Sequence, residues 1–253
     1  ALSSEKDLDK LLRMIAAKAM KLTNADGCSI YLIEQIPDTP HEQSNYLANK
    51  QMRFHSALNL SRDTSQLQEK VLPLDFSTVN AYVARTSQSI RINNVYKLHD
   101  SNLVWGGRDF DEQQNYKTRS MLAVPMCNER GEVLGVIQLI NCKTDGDAVL
   151  DTQEDVDQTV VPFSDYHMRL MESLASQATI AIRNASLLES IQILFDGFIN
   201  ASVKAIESRD PTTSGHSSRV ATLTVALAET VSSLSEGRFA DISYNPDQFN
   251  TIR

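Results

Sequence analysis

Residues 120–141, SMLAVPMCNERGEVLGVIQLIN, decide the fold. Two apolar runs, Met121–Met126 and Val133–Ile140, flank a polar break that holds Asn128, Glu129, Arg130 and Gly131. Near-continuous runs of Val, Ile and Leu are the pattern of strands covered on both faces. Gly131 supplies the positive φ that a short hairpin loop needs, so the runs are expected to pair antiparallel. Pro125 lacks a ladder donor, which predicts that the first strand ends or bends there. A buried hairpin of this length belongs at the centre of a sheet that the rest of the chain wraps.

The chain of 253 residues supports one to two domains. Its 42% apolar and 22% charged composition is that of an ordinary globular protein. A net charge of −8 argues against a nucleic-acid or anionic-membrane surface, either of which needs a basic face. No apolar run approaches the roughly 20 residues of a membrane helix, and no signal-peptide pattern opens the chain, so a cytoplasmic location is expected. Ala1 in place of an initiator Met suggests a cut inside a longer protein. Cys28, Cys127 and Cys142 have no metal-ligand spacing and are expected as reduced thiols packed like small hydrophobes.

Working outward from the hairpin, Ser3 or Ser4 can cap a helix to about Thr23 with Leu8, Leu11, Leu12, Ile15 and Ala19 on one face. Residues 24–27 break it, and strands are expected at Cys28–Ile33 and Gln51–Leu58, joined by a long polar loop. A second polar loop, 61–70, precedes Val71–Leu74. Ser77 or Thr78 caps a short helix to Thr86 that buries Val79, Tyr82 and Val83, and Ile90–Ile92 is a brief strand. Residues 93–119 are expected to be irregular and contain the single Trp, Trp105, beside Gly106-Gly107. Asp145, Asp147, Asp151, Glu154, Asp155 and Asp157 form an acidic stretch without the glycine and closing Glu of a calcium loop, so a solvated loop is expected.

From Ser164 to about Ser208 the pattern is helical. Leu174, Ala178, Ala181, Ala185, Leu188, Gln192, Phe195, Ile199, Ser202 and Ile206 follow a 4-3 spacing, and eight of these ten are apolar. Before Arg183 this stripe is expected to pack on its own domain. Beyond it, the stripe predicts a homodimer seam, because no further sheet remains to bury it.

Helix, two strands, short helix, strand, variable loop, central hairpin and closing helix describe an α+β domain with helices packed on an antiparallel sheet. Gly27–Leu32, Ile92–Tyr96 and above all Asn115–Pro125 running into Gly131–Asn141 resemble a GAF domain of the cyclic-nucleotide-sensing type. The resemblance spans about residues 5–187 and implies a sensor domain over 1–187 whose closing helix continues as a signalling helix, 164–208. Members that bind cyclic AMP or GMP carry Asn-Lys, a spacer, then Phe, three residues and Asp-Glu, with the Lys and Asp paired over the site. Asn141 and Phe163 match, but Cys142 stands for the Lys and His167-Met168 for the Asp-Glu. Pocket positions implied by the alignment are Ser29, Val79, Asp111, Gln114, Thr118 and Gln138. Such hydroxyl, amide and carboxylate groups can hydrogen-bond a purine edge and a cyclic phosphate, with backbone N–H groups at a helix start holding the phosphate.

A second resemblance is shorter. Residues 205–221, AIESRDPTTSGHSSRVA, resemble the opening of an HD-GYP domain, the cyclic-di-GMP phosphodiesterase class. Asp210-Pro211 makes a turn, and Ser214 or Gly215 starts a helix with His216 near its N-terminus. In that family this histidine ligates one metal of a cluster, which implies a divalent Fe or Mn in a full-length parent and none in the sequence at hand. The His-Asp pair and the Gly-Tyr-Pro stretch are absent from the sequence, and one imidazole is not a catalytic metal site. Residues 209–253 are therefore expected as a short all-α segment without hydrolytic activity. The resulting expectation is a GAF domain that senses a small molecule such as a cyclic nucleotide and controls a phosphodiesterase. An unliganded GAF dimerisation module is the alternative, and a haem or bilin sensor is a third reading that needs a placed His or Cys.

Overall fold

Alternation about the central hairpin sets the layers. In the computed structural model, which describes residues 2–37, 47, 49–64, 70–74, 78–98, 103–207 and 216–252, strands β5 (Met121–Cys127) and β6 (Val133–Lys143) pair antiparallel as expected. Gly131 turns between them at φ 79°, in the region where a side chain is strained. Pro125 does not end β5. It faces Val136 in the ladder, and the register slips only at Met126/Cys127. The reason is local: β4 (Ile90–Ile92) covers β5 from Met121 to Ala123 only, so Pro125 sits where no second neighbour needs its missing N–H.

The remaining strands extend the sheet. β1 (Ala25–Gln35) pairs β6 on one side and β2 (Lys50–Asn59) on the other, with β3 (Val71–Pro73) outermost. The order is β3-β2-β1-β6-β5-β4, and β7 (Val160–Val161) joins the end of β6. β1 and β2 run longer than expected, because Ala25–Gly27 belong to the strand and only Asn24, at φ 51°, makes the break.

One sheet face carries Ile30, Leu122, Val124, Ile137 and Leu139 against helix α1 (Leu2–Thr23) and the first turns of α5 (Asp165–Glu207). Leu12, Ile15 and Ala19 of α1 and Met171, Ala175, Ala178 and Ile182 of α5 close that layer. The opposite face carries Tyr31, Phe54, Met121, Ala123 and Val136 against Val79 and Val83 of α2 (Val79–Thr86). Thr78 caps α2, its hydroxyl accepting from Ala81 N at 3.2 Å. Tyr82 is only half-buried.

Two stretches expected to be irregular hold structure. Asn94 caps a 3-10 turn at Val95–Lys97, and α3 spans Arg108–Gln113. The acidic stretch forms α4 (Gln153–Thr159), started by a capping box in which Thr152 and Asp155 exchange hydrogen bonds. A helix start favours acids by its dipole, so the acidic composition suits a helix as well as a loop.

The chain divides into two compact units, residues 1–189 and 190–253. In the second, α6 (His216–Ser232) and α7 (Pro246–Ile252) pack together, with Tyr244 N donating to Ser232 Oγ at 3.1 Å and the Tyr244 and Phe249 rings 5.8 Å apart. The turn at Asp210-Pro211 and the stretch 208–215 lie outside the described residues. No described helix is long and apolar enough to cross a membrane.

Candidate functional site

The α2 face of the sheet does not fill completely. Between β1, β2, β6, α2 and the segment 104–114 lies a cavity of about 260 Å³. Its floor follows from strand register. Ser29 on β1 lies beside Gln138 on β6, and Tyr31 follows on the same face two residues on. Thr118 is not on a strand adjoining β1; it enters from the segment ahead of β5, with β6 between. Val79 and Asn80 bring in the first turn of α2.

The roof is tied down at both ends. Val104 bridges to Thr78 at the start of α2. Trp105 then folds over Gly107, where a Cβ would lie 2.2 Å from the indole ring, so any side chain there would displace the indole. Beyond α3, Arg62 donates to Gln114 O at 3.0 Å and Asn115 O at 3.3 Å and stacks over Tyr116 at 5.5 Å.

Of the residues expected to contact ligand, Ser29, Val79, Gln114, Thr118 and Gln138 line the cavity together. Asp111 does not. Its carboxylate accepts from Tyr96 Oη at 2.5 Å, Thr118 N at 2.9 Å and Thr118 Oγ1 at 2.8 Å, which leaves it only 3% exposed. In this arrangement it joins the roof to Thr118 from behind the cavity wall. Burial pushes the Asp111 carboxyl above its ordinary range, against the opposing pull of the Tyr96 and Thr118 hydrogen bonds. The Thr118 hydroxyl proton is committed to Asp111, so toward the cavity it can only accept.

Three lining groups were not among the expected ligand contacts. Asn80 donates through Nδ2 to Gln138 Oε1. The Trp105 indole N–H makes no hydrogen bond, although it lies close enough to Asp111 to favour the charged carboxylate. Tyr31 contributes its hydroxyl beside Ser29 and Asn80, and burial raises its pKa. A helix-face position for Asn80 and a lone aromatic for Trp105 carry no sequence signal for a pocket. Charged lining among the described residues is limited to Asp63, Lys70 and Asp109.

Beside the cavity stands a buried polar network. Lys143 Nζ meets Asp26 Oδ1 at 3.2 Å, both side chains fully buried, and also donates to Ala148 O. Asp26 further accepts from Ser61 Oγ at 2.8 Å and Tyr116 Oη at 2.6 Å. Asn141 Nδ2 donates to Tyr116 Oη and Lys117 O, each at 2.9 Å, and Asn141 Oδ1 accepts from Arg119 N at 2.7 Å. The loss of Lys at position 142 is thus accompanied by a buried cation one residue later, paired with β1 rather than with α5.

Desolvation disfavours the thiolate at each of the three cysteines. Burial raises the Cys142 pKa to about 11, and desolvation lowers that of His167, 3.8 Å away. The pair is a neutral thiol beside a neutral imidazole at physiological pH. Cys28 is buried and its pKa is also raised by desolvation. Among the described residues, no group of three His, Cys, Asp or Glu could hold a metal. The side chain of His216, expected as a metal ligand in the parent, lies outside the described residues; α6 does begin at that residue.

A six-stranded antiparallel path carries helices on one face and a roofed cavity of mixed polar and apolar lining on the other. The chain belongs to the GAF domain family, whose model matches residues 7–182. It is 29% identical over 189 residues to a cGMP-specific 3',5'-cyclic phosphodiesterase of Drosophila pseudoobscura pseudoobscura and 28% identical to that of Drosophila melanogaster. The match takes in 74% of this chain but only 15% of each relative's length. Among solved structures, the GAF domain/HD domain protein from Geobacter sulfurreducens superposes with a TM-score of 0.51 at 17% identity, covering 74% of this chain and 99% of that one. The GAF domain from a phosphoenolpyruvate-protein phosphotransferase of Coxiella burnetii gives 0.51 at 12% identity, covering 72% and 86%. At these identities the structural likeness concerns the fold.

Proposed function

We propose that this chain is a regulatory domain whose cavity binds a cyclic mononucleotide and thereby controls a linked output domain, a phosphodiesterase of the HD type. The roofed cavity lined by Ser29, Val79, Gln114, Thr118 and Gln138 is the observation that carries this reading. Its volume of about 260 Å³ lies near the lower end of small-molecule sites and suits one nucleoside monophosphate better than a cyclic dinucleotide. Lys70 is the basic lining group that could meet a ligand phosphate, and Asp63 and Asp109 are acceptors for ligand donors. The kinship with phosphodiesterases named for cGMP supports the same class. Metal-dependent hydrolysis of cyclic-di-GMP would belong to the output domain.

Calorimetric titration with cyclic GMP, cyclic AMP and cyclic-di-GMP tests the proposal. One of the two mononucleotides is expected to bind and cyclic-di-GMP is not. At a hundredfold excess over its dissociation constant, the ligand should stabilise the fold by about 2.7 kcal/mol. Thr118→Val, which removes the acceptor, is expected to weaken binding about tenfold. Silence with both mononucleotides would reject the cyclic-mononucleotide reading.

A second reading, a GAF module that dimerises, is favoured by α5. Leu188, Phe195, Phe198 and Ile199 are 67%, 57%, 70% and 44% exposed, a long apolar stripe for a helix in water. We propose that two copies pair in parallel through residues 183–208, ligand binding biasing two arrangements of that helix. Phe195→Glu with Ile199→Glu is expected to convert dimer to monomer in analytical ultracentrifugation. Unchanged sedimentation would reject this seam.

A further inference from the structure

Asn80 lies in the first turn of α2, lines the cavity and is only 8% exposed. Its Nδ2 donates to Gln138 Oε1, which joins the helix to the cavity floor. That bond uses the amide nitrogen and leaves Asn80 Oδ1, a buried acceptor, with no hydrogen-bond partner. The Tyr31 hydroxyl stands near Asn80 and Ser29 without satisfying that oxygen. A buried amide oxygen without a donor is a standing cost, and each such atom in a folded protein calls for an explanation. Ser56 Oγ is also unpartnered, but it does not line the cavity. Trp105 Nε1 is likewise unpartnered at the wall, but it is a donor lying close to the Asp111 carboxylate; Asn80 Oδ1 is the unpartnered acceptor among the described residues of the lining.

We infer that Asn80 Oδ1 is a ligand contact and accepts a hydrogen bond from an N–H or O–H of the bound molecule. The Asn80–Gln138 amide pair then selects a ligand that presents a donor at that point: a ribose hydroxyl or a base amine of a nucleotide. Gln138 holds the Asn80 amide in the orientation that offers its oxygen, so the pair acts as a unit. This inference rests on the reading of the cavity as a small-ligand site.

The test separates the two. Asn80→Leu, and Asn80→Leu combined with Gln138→Met, are compared with the unaltered chain by thermal melting without ligand and by titration with cyclic AMP and cyclic GMP. Trp105, the single tryptophan and itself a cavity wall, reports occupancy by its fluorescence. An amide pair kept for a ligand predicts a double variant that melts at or above the unaltered chain, because both partners leave together. Its affinity for the mononucleotide that binds should fall at least about tenfold, as should that of Asn80→Leu. Undiminished affinity in Asn80→Leu would overturn the inference while leaving the nucleotide reading intact. A double variant that melts well below the unaltered chain would also overturn it, since the pair would then be structural. Should neither mononucleotide bind the unaltered chain, the nucleotide reading falls. The melting comparison then decides alone: a stabilised double variant supports Asn80 as contact to another donor-bearing ligand, and a destabilised one rejects it.

Discussion

Lys143→Met is expected to be the most damaging single change in the first unit, lowering its stability by about 3–5 kcal/mol. Lys143 and Asp26 are both fully buried and 3.2 Å apart. Removing the cation leaves the Asp26 carboxylate in the interior with only Ser61 and Tyr116 as donors. An uncompensated buried charge costs far more than the pair contributes, because pairing largely repays desolvation already incurred. The double change Asp26→Asn with Lys143→Met should therefore recover part of the loss. Urea unfolding of the single and double variants measures both, and a single variant within about 1 kcal/mol of the parent would show that the pair is not needed. Recovery in the double variant separates the loss of a partner from a mere packing defect at position 143.

This pair also marks where reading the residues stopped. The hairpin at 120–141 and the α1 stripe were legible because each buries a periodic apolar face, a signal carried by neighbours in sequence. The sheet followed from them, as did the division of α5 into a packed start and an exposed continuation. Asp26 and Lys143 meet across 117 residues, and nothing in either local pattern announces that a charge will be buried. The same physical reason hid Asn80: its place in α2 is evident, but its link to Gln138 exists only once α2 lies over β6. At Pro125 the strand continues, and the irregularity comes one residue later, at Met126/Cys127; how much of β5 a proline interrupts depends on how far β4 extends along it. Five of the six aligned positions line the cavity, and Asp111 lies behind Thr118, because a carboxylate near a pocket can serve the wall as readily as the ligand.

Asp111→Ala is the second change with a large expected effect, on stability and on the cavity together. Asp111 accepts from Tyr96 and twice from Thr118, joining α3, the turn at Val95–Lys97 and the segment entering β5. Its removal strands the Thr118 N–H in the interior and frees the Thr118 hydroxyl to rotate. A loss of about 2–4 kcal/mol is expected, given roughly 1–3 kcal/mol for each buried polar group left unmet. Cyclic-nucleotide affinity should fall with it, since the roof over the cavity loses its anchor. The pH dependence distinguishes this account from a simple packing loss. The folded-state pKa of Asp111 is raised above the ordinary 3.8, chiefly by desolvation, so the folded state binds the proton more tightly than the unfolded one. By linkage, the stability this group contributes is fully present below pH 3.8 and declines as pH rises through the folded-state value. The gap between parent and Asp111→Ala should consequently widen as pH is lowered from neutrality toward 4. Measuring both proteins by chemical unfolding at matched pH cancels the other carboxylates, and a gap that narrows on acidification would reject a raised pKa and the buried anchor it reflects.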